Sequence, residues 1–213
     1  MKNYFRCLLT SVLIFSLFIV CDASGLDTTI IKRSSTNNEA SKFITYINPS
    51  NNDWHYDSLK STSLQVSSKT KNKFPYGTWI EAYQYQNKIY LYYPCDLGYI
   101  SKIEISKSTL RKYGMEIDDY RVVSNKKVKN YFQLNLVDIS GNKELYLFNE
   151  IDRKRGMAIL EISDGKRGKL KKLMIAASHL NNYPMIVNYC EAKSFEFYFD
   201  PIDFDKIVPK NKH

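Results

Sequence analysis

Cysteine is sparse, and its placement is the first constraint. Four occur in 213 residues: Cys7, Cys21, Cys95 and Cys190. None forms a Cys-x-x-Cys pair or joins a Cys/His cluster, which excludes a zinc site of ordinary ligand spacing and a thioredoxin-like centre. Histidine is scarcer still, with only His55, His179 and His213. A Ser–His–Asp triad through His179 lacks a Gly-x-Ser-x-Gly elbow, and a Cys–His pair needs Cys95 or Cys190 as a free thiol. The sequence shows no internal repeat of roughly 20–50 residues. No apolar run reaches the ~20 residues needed to span a bilayer. On these grounds no catalytic residue, metal ligand or cofactor is assigned.

The longest apolar run has a different use. Lys2 and Arg6 precede an uncharged stretch from Cys7 to Val20, and Asp22, Ala23, Ser24 and Gly25 follow it. A positive flank, a short apolar segment and a small-residue exit are the parts of an export signal. Residues 1–23 are therefore read as a signal peptide, and the protein as exported, periplasmic or secreted. Lipidation at Cys21 is the alternative, which would tether the chain to a membrane. Val20, however, stands where lipoprotein signals carry a small residue. Export also makes a Cys95–Cys190 disulfide the economical pairing. It closes a long loop and is worth up to about 4.7 kcal/mol in the chain-entropy model.

What is abundant points to a folded, basic domain. At 44% hydrophobic and 14% aromatic, the composition excludes a disordered chain. The net charge is +9, and it comes in bursts. These are Lys69, Lys71 and Lys73; Lys126, Lys127 and Lys129; Arg153, Lys154 and Arg155; and Lys166, Arg167, Lys169, Lys171 and Lys172. Solvated turn tips account for such bursts, and so does attraction to an anionic lipid, an anionic glycan or an acidic protein. Nucleic acid is not expected as a partner of an exported chain.

Residues 24–74 read as a polar lead-in, partly ordered, within which Ala40 to Ile47 suits one strand or a short helix. Residues 75–205 read as a β-rich domain, and 206–213 as a basic tail. Strand texture covers Trp79–Tyr85, Lys88–Tyr93, Tyr99–Ser106, Arg121–Ser124, Tyr131–Val137, Glu144–Phe148, Met157–Ile162, Met185–Tyr189 and Phe195–Phe199. Thr109–Tyr113 reads as a turn or single helical turn. Leu170, Leu173, Met174, Ala177 and Leu180 have helical spacing with lysines opposite, which predicts an amphipathic helix of about three turns. His179 falls near its end, where an imidazolium suits the helix dipole. The expected fold is mainly β: an antiparallel barrel or sandwich of about eight strands with one amphipathic helix before the last two strands.

Gly77-Thr78-Trp79 opens the first strand of the meander and resembles the Gly-x-Trp signature of lipocalins. That resemblance implies a tryptophan plugging the barrel base, a late basic residue packed across it, and a small apolar ligand in the mouth. The chain departs from the pattern in two places. Lys193 is the only basic residue near the last two strands, and a helix intervenes before them.

Two further constellations carry chemistry. Asp118, Asp119, Asp200 and Asp203 are the carboxylates from which a glycan hydrolase would be built, given two within about 5–9 Å; Asp205 lies beside them in sequence. Trp79, Tyr83, Tyr85, Tyr90 and Tyr92 crowd the first strands and suit a ligand surface, or cross-strand packing. The function expected is a non-enzymatic, exported binding or interaction protein. A carboxylate-dependent glycan hydrolase and a lipocalin-like carrier are the alternatives.

Overall fold

The computed structural model describes residues 29–33, 42–47, 57–59, 74–94, 100–129, 131–163, 168–188 and 197–207. The signal segment, Cys21, Cys95, Cys190, His55 and His213 lie outside them, as do the predicted disulfide and lipidation site.

A closed antiparallel barrel of eight strands dominates the molecule. It comprises β3 (Gly77–Tyr85), β5 (Lys102–Ile105), β6 (Thr109–Tyr113), β7 (Ile117–Val128), β8 (Tyr131–Asp138), β9 (Lys143–Asp152), β10 (Met157–Ser163) and β11 (Lys169–Ala176). Strands β5 to β11 follow one another as a meander. β11 then pairs with β3 through Leu173↔Ala82 to Ala176↔Trp79, and β3 pairs with β5 through Gly77↔Ile105 to Ile80↔Lys102. Of the two expected architectures, the barrel is the one formed.

A second group of strands branches from β3. Beyond Ile80 the edge of β3 that holds β5 changes partner, and Ala82–Tyr85 pair with β4 (Lys88–Tyr93). Gln86 and Asn87 make the β3–β4 turn with φ of 49° and 62°, the left-handed pair that a two-residue hairpin requires. β12 (Met185–Asn188) joins β4 in parallel, β2 (Lys42–Ile47) joins β12, and β1 (Thr29–Arg33) forms the edge. The lead-in thus contributes two strands to the sheet.

Alternation along β3 explains how one strand serves two cores. Trp79 points into the barrel with Ile103, Leu110, Leu134, Phe148 and Met174. Ile80 and Ala82 point the other way, into a second core with Leu91, Ile159, Leu173, Ile175, Leu180 and Met185. Leu134, Leu160, Leu173 and Met174 are fully buried, and each such side chain contributes about 1.5–3 kcal/mol.

From Leu173 to Ile175 both faces of β11 are buried, and the segment corrects the predicted amphipathic helix. Lys169–Ala176 is a strand, followed by a short 3-10 helix, Ala177–Asn182. Met174 faces the barrel while Leu173 and Ile175 face the outer core. A strand covered on two sides loses its period-two signature, so Leu170, Leu173, Met174 and Ala177 imitated a helix. Thr109–Tyr113 is likewise a strand, not a turn, held between β5 and β7. Phe197–Phe199 make no ladder; only Asp200 bridges to Gln84. A four-residue helix, α1 (Phe204–Ile207), follows.

Candidate functional site

The aromatic residues singled out in sequence are placed in two separate cores. Trp79, 5% exposed, lies inside the barrel and donates its indole N–H to the Pro75 carbonyl at 2.7 Å. Tyr83, Tyr85, Tyr90 and Tyr92 share one face of β3 and β4, the face of β3 that carries Trp79, and pack among themselves beyond the barrel core. Tyr83 and Tyr92 lie 5.9 Å apart, and Tyr85 and Tyr90 lie 6.3 Å apart. Phe199 stacks on Tyr83 at 4.5 Å, and Phe197 meets Tyr85 at 4.9 Å. The tyrosine hydroxyls are used as well, since Tyr92 accepts the Phe197 N–H at 3.2 Å. Within this aromatic layer Tyr90 and Tyr92 are buried and Tyr83 and Tyr85 half-buried.

The hydrolase carboxylates lie in three places. Asp118 pairs with Lys112 at 3.0 Å, while its neighbour Asp119, on the opposite face of β7, pairs with Arg111 at 2.6 Å. Asp200 accepts the Gln86 N–H at 2.7 Å beside the flanking sheet. Asp203 holds Lys206 at the start of α1 at 3.0 Å. The hydrogen bond from Arg111 lowers the Asp119 pKa, and that from Lys206 lowers the Asp203 pKa. Both act as turn and ladder anions. His179 sits in the 3-10 helix against Gly156, its Nδ1 2.9 Å from the Ser178 hydroxyl. Among the described residues no group of three His, Cys, Asp or Glu side chains is placed to hold a metal ion.

The two ends of the barrel differ in chemistry. The β6–β7, β8–β9 and β10–β11 connections leave from one end, where inward positions are polar. Tyr120 donates to Glu144 Oε1 at 3.1 Å. Tyr146 is fully buried, and its hydroxyl has no partner of acceptable geometry. Burial first, and then the nearby Glu144 charge, pushes both phenols above the ordinary tyrosine range. Lys172 Nζ bridges Glu81 at 2.6 Å and the Ser101 hydroxyl at 2.9 Å. Arg111–Asp119, Lys112–Asp118, Lys169–Glu161 and Lys172–Glu81 pair opposite charges at this end.

The β5–β6, β7–β8 and β9–β10 hairpins leave from the other end. Its interior is closed by rings: Phe74 meets Trp79 at 5.7 Å, Phe132 at 6.3 Å and Phe148 at 6.1 Å, and Tyr76 meets Phe132 at 5.9 Å. The resemblance to lipocalins anticipated a tryptophan at the base. Around this plug the hairpins carry Lys107, then Lys126, Lys127 and Lys129, then Arg153, Lys154 and Arg155, all exposed. Glu150 answers Arg153 at 3.4 Å, and Asp152 is engaged by the Arg155 N–H at 3.0 Å. Arg155 also lies over the Tyr183 ring, 5.3 Å from its centroid. The lysines have no carboxylate partner among the described residues. Two of the bursts read in sequence thus leave the barrel from one end, joined by Lys107. Lys166 and Arg167 lie outside the described residues, and Lys169, Lys171 and Lys172 belong to β11 near the other end.

Sequence reading missed the arm that carries Lys126, Lys127 and Lys129. β7 does not stop at Ser124 but runs to Val128, with a bulge between Val122 and Ser124. Lysines on both faces of Asn125–Val128 hide the alternation. Beyond Val122 the strand pairs only with β8, so its lysines also protect an edge from strand addition. An open groove of about 550 Å³ lies beside the bulge, lined by Ser124, Asn135, Val137, Lys143, Leu145 and Ser163 among others.

No family model, curated protein or solved structure matches this chain.

Proposed function

We propose that the protein is an exported, non-enzymatic binding protein that docks the basic end of its barrel on a polyanionic partner. The observation that carries this reading is the gathering of Lys107, the Lys126–Lys129 burst and the Arg153–Arg155 burst around one ring-plugged end. Cations left unpaired on a low-dielectric support raise the local potential and attract anions over roughly a Debye length, about 8 Å at physiological salt. The residues before Gly25 support export, which removes the protein from intracellular nucleic acid and leaves acidic lipid, glycan or protein surfaces as partners.

The test is retention on an immobilised sulfated polysaccharide over a salt gradient. The unsubstituted protein should be retained and elute at raised salt. Lys126→Glu/Lys127→Glu/Lys129→Glu should elute far earlier, whereas Lys169→Glu/Lys171→Glu should elute only slightly earlier. Equal losses from the two sets would show that net charge alone governs retention, and the proposal would fail.

A further inference from the structure

The tip of the β7–β8 arm is apolar as well as basic. Val128 and Tyr131 are directly opposed across the hairpin and remain 38% and 43% exposed. Lys126 shares their face, since it is opposed to Gln133 and lies two residues from Val128. Lys127 takes the opposite face. Lys129 occupies the turn with φ of 52°, so its side chain leaves from the extremity. A soluble polyanion has no use for an apolar pair at the tip. A lipid surface does: an aliphatic and an aromatic side chain reach the headgroup–acyl boundary, while lysines flanking them meet the phosphates. Tyrosine is suited to that boundary, having an apolar ring and a polar edge.

We infer that the β7–β8 arm is a membrane-docking hairpin, placing Val128 and Tyr131 into the interface of an anionic bilayer with Lys126, Lys127 and Lys129 against its headgroups. The inference rests on the proposed role of the basic end and narrows the polyanion to a lipid surface. The ring-plugged barrel behind the arm supplies a rigid base. The arm's backbone pairs through Val128↔Tyr131, so the apolar pair is presented already ordered and little conformational entropy is lost on docking.

Tyr131→Trp in the full chain provides a local probe, with every variant sharing the same N-terminal segment as a constant background. Vesicles of phosphatidylcholine with and without phosphatidylglycerol, and a soluble sulfated polysaccharide, are the three titrants. Relative to the unsubstituted chain, emission attributable to position 131 should shift to the blue with anionic vesicles only. The shift should vanish when Lys126, Lys127 and Lys129 are changed to Glu, and each single lysine removed should weaken vesicle partition about fivefold. Val128→Ser should weaken vesicle partition while leaving polysaccharide binding unchanged. Lysine-dependent polysaccharide binding without the vesicle shift would overturn the bilayer inference and leave the proposed function standing. Vesicle binding with no shift at position 131 would also overturn it. Indifference of both titrations to the three lysines would remove the proposed function as well. Circular dichroism on each variant confirms that the barrel is intact.

Discussion

At one end of the barrel Phe74, Tyr76, Trp79, Phe132 and Phe148 fill the interior with rings; at the other, Tyr120, Tyr146, Glu144, Glu81 and Lys172 occupy equivalent inward positions. The surface charges reverse the comparison. Around the ring-plugged end Lys107, Lys126, Lys127, Lys129 and Lys154 have no carboxylate partner among the described residues, with only Arg153 answered by Glu150, whereas around the polar end Arg111–Asp119, Lys112–Asp118 and Lys172–Glu81 neutralise one another. A barrel can leave like charges unpaired where its interior is apolar and rigid, because that end does not depend on those charges for stability. The polar end pairs most of its cations with neighbouring carboxylates. Stability and binding capacity are thus distributed to opposite ends.

Trp79→Ala should break this contrast most severely. Removing a ring that contacts Phe74 and Phe148 opens a cavity at the plugged end and should cost about 3–5 kcal/mol in denaturant unfolding. Gly156→Ala comes next. Its backbone has φ of 65°, and an added Cβ would stand 2.5 Å from His179 Cγ. A loss of about 1–3 kcal/mol is expected, from backbone strain and the displaced imidazole. Pairing it with His179→Ala should recover only part of the steric cost, because the Cβ of residue 179 would still stand 2.8 Å away.

The polar end should answer differently to two similar changes. Tyr120→Phe deletes the donor to Glu144 and should cost about 1.5–3 kcal/mol, since the acceptor is charged. Tyr146→Phe removes a buried hydroxyl that lies near Glu144 but makes no hydrogen bond of acceptable geometry, so stability should stay level or rise. Equal losses from the two would show that Tyr146 also serves the carboxylate. Acid titration sharpens the electrostatic side. Asp119 has its pKa lowered in the folded state, by Arg111 above all. Its stabilising contribution is present above the ordinary aspartate range and fades as pH falls through the lowered folded value. Asp119→Asn should flatten that part of the stability profile. The smallest effect belongs to the arm: Lys126→Glu/Lys127→Glu should change unfolding free energy by under about 0.5 kcal/mol while abolishing polyanion retention.

Legibility in the sequence followed local pattern. Strand β8 was readable because Phe132, Leu134 and Leu136 alternate with Gln133 and Asn135, whereas β4 and β10, buried on both faces, were readable as short apolar runs bounded by Pro94 and by Asp164–Gly165. Strand β11 was not, since Leu173, Met174 and Ile175 are buried on both faces and Leu170 and Ala177 extend them at helical spacing. β7 beyond Ser124 was hidden for the converse reason: Asn125–Val128 are exposed on both faces, so no alternation survives. The same limit applies to the candidate site. Lys126–Lys129 and Arg153–Arg155 stood out as bursts, yet their common end follows from strand count and direction, which no local pattern carries. Tyr83, Tyr85, Tyr90 and Tyr92 were correctly seen as crowded, but not that Phe197 and Phe199 would cover them.

The sequence by itself determined that the chain forms an antiparallel β fold rich in short strands, because period-two burial is written residue by residue. It also supplied the bursts of positive charge and the Gly77-Thr78-Trp79 opening of the barrel. Only the tertiary structure decided that the sheet closes, that β3 divides between two sets of partners, and that the unpaired lysines stand around the plugged end. Those outcomes depend on pairings between residues as distant as Trp79 and Ala176. The free energy of such pairings resides in contacts across the sheet, where neighbours along the chain carry no record of it.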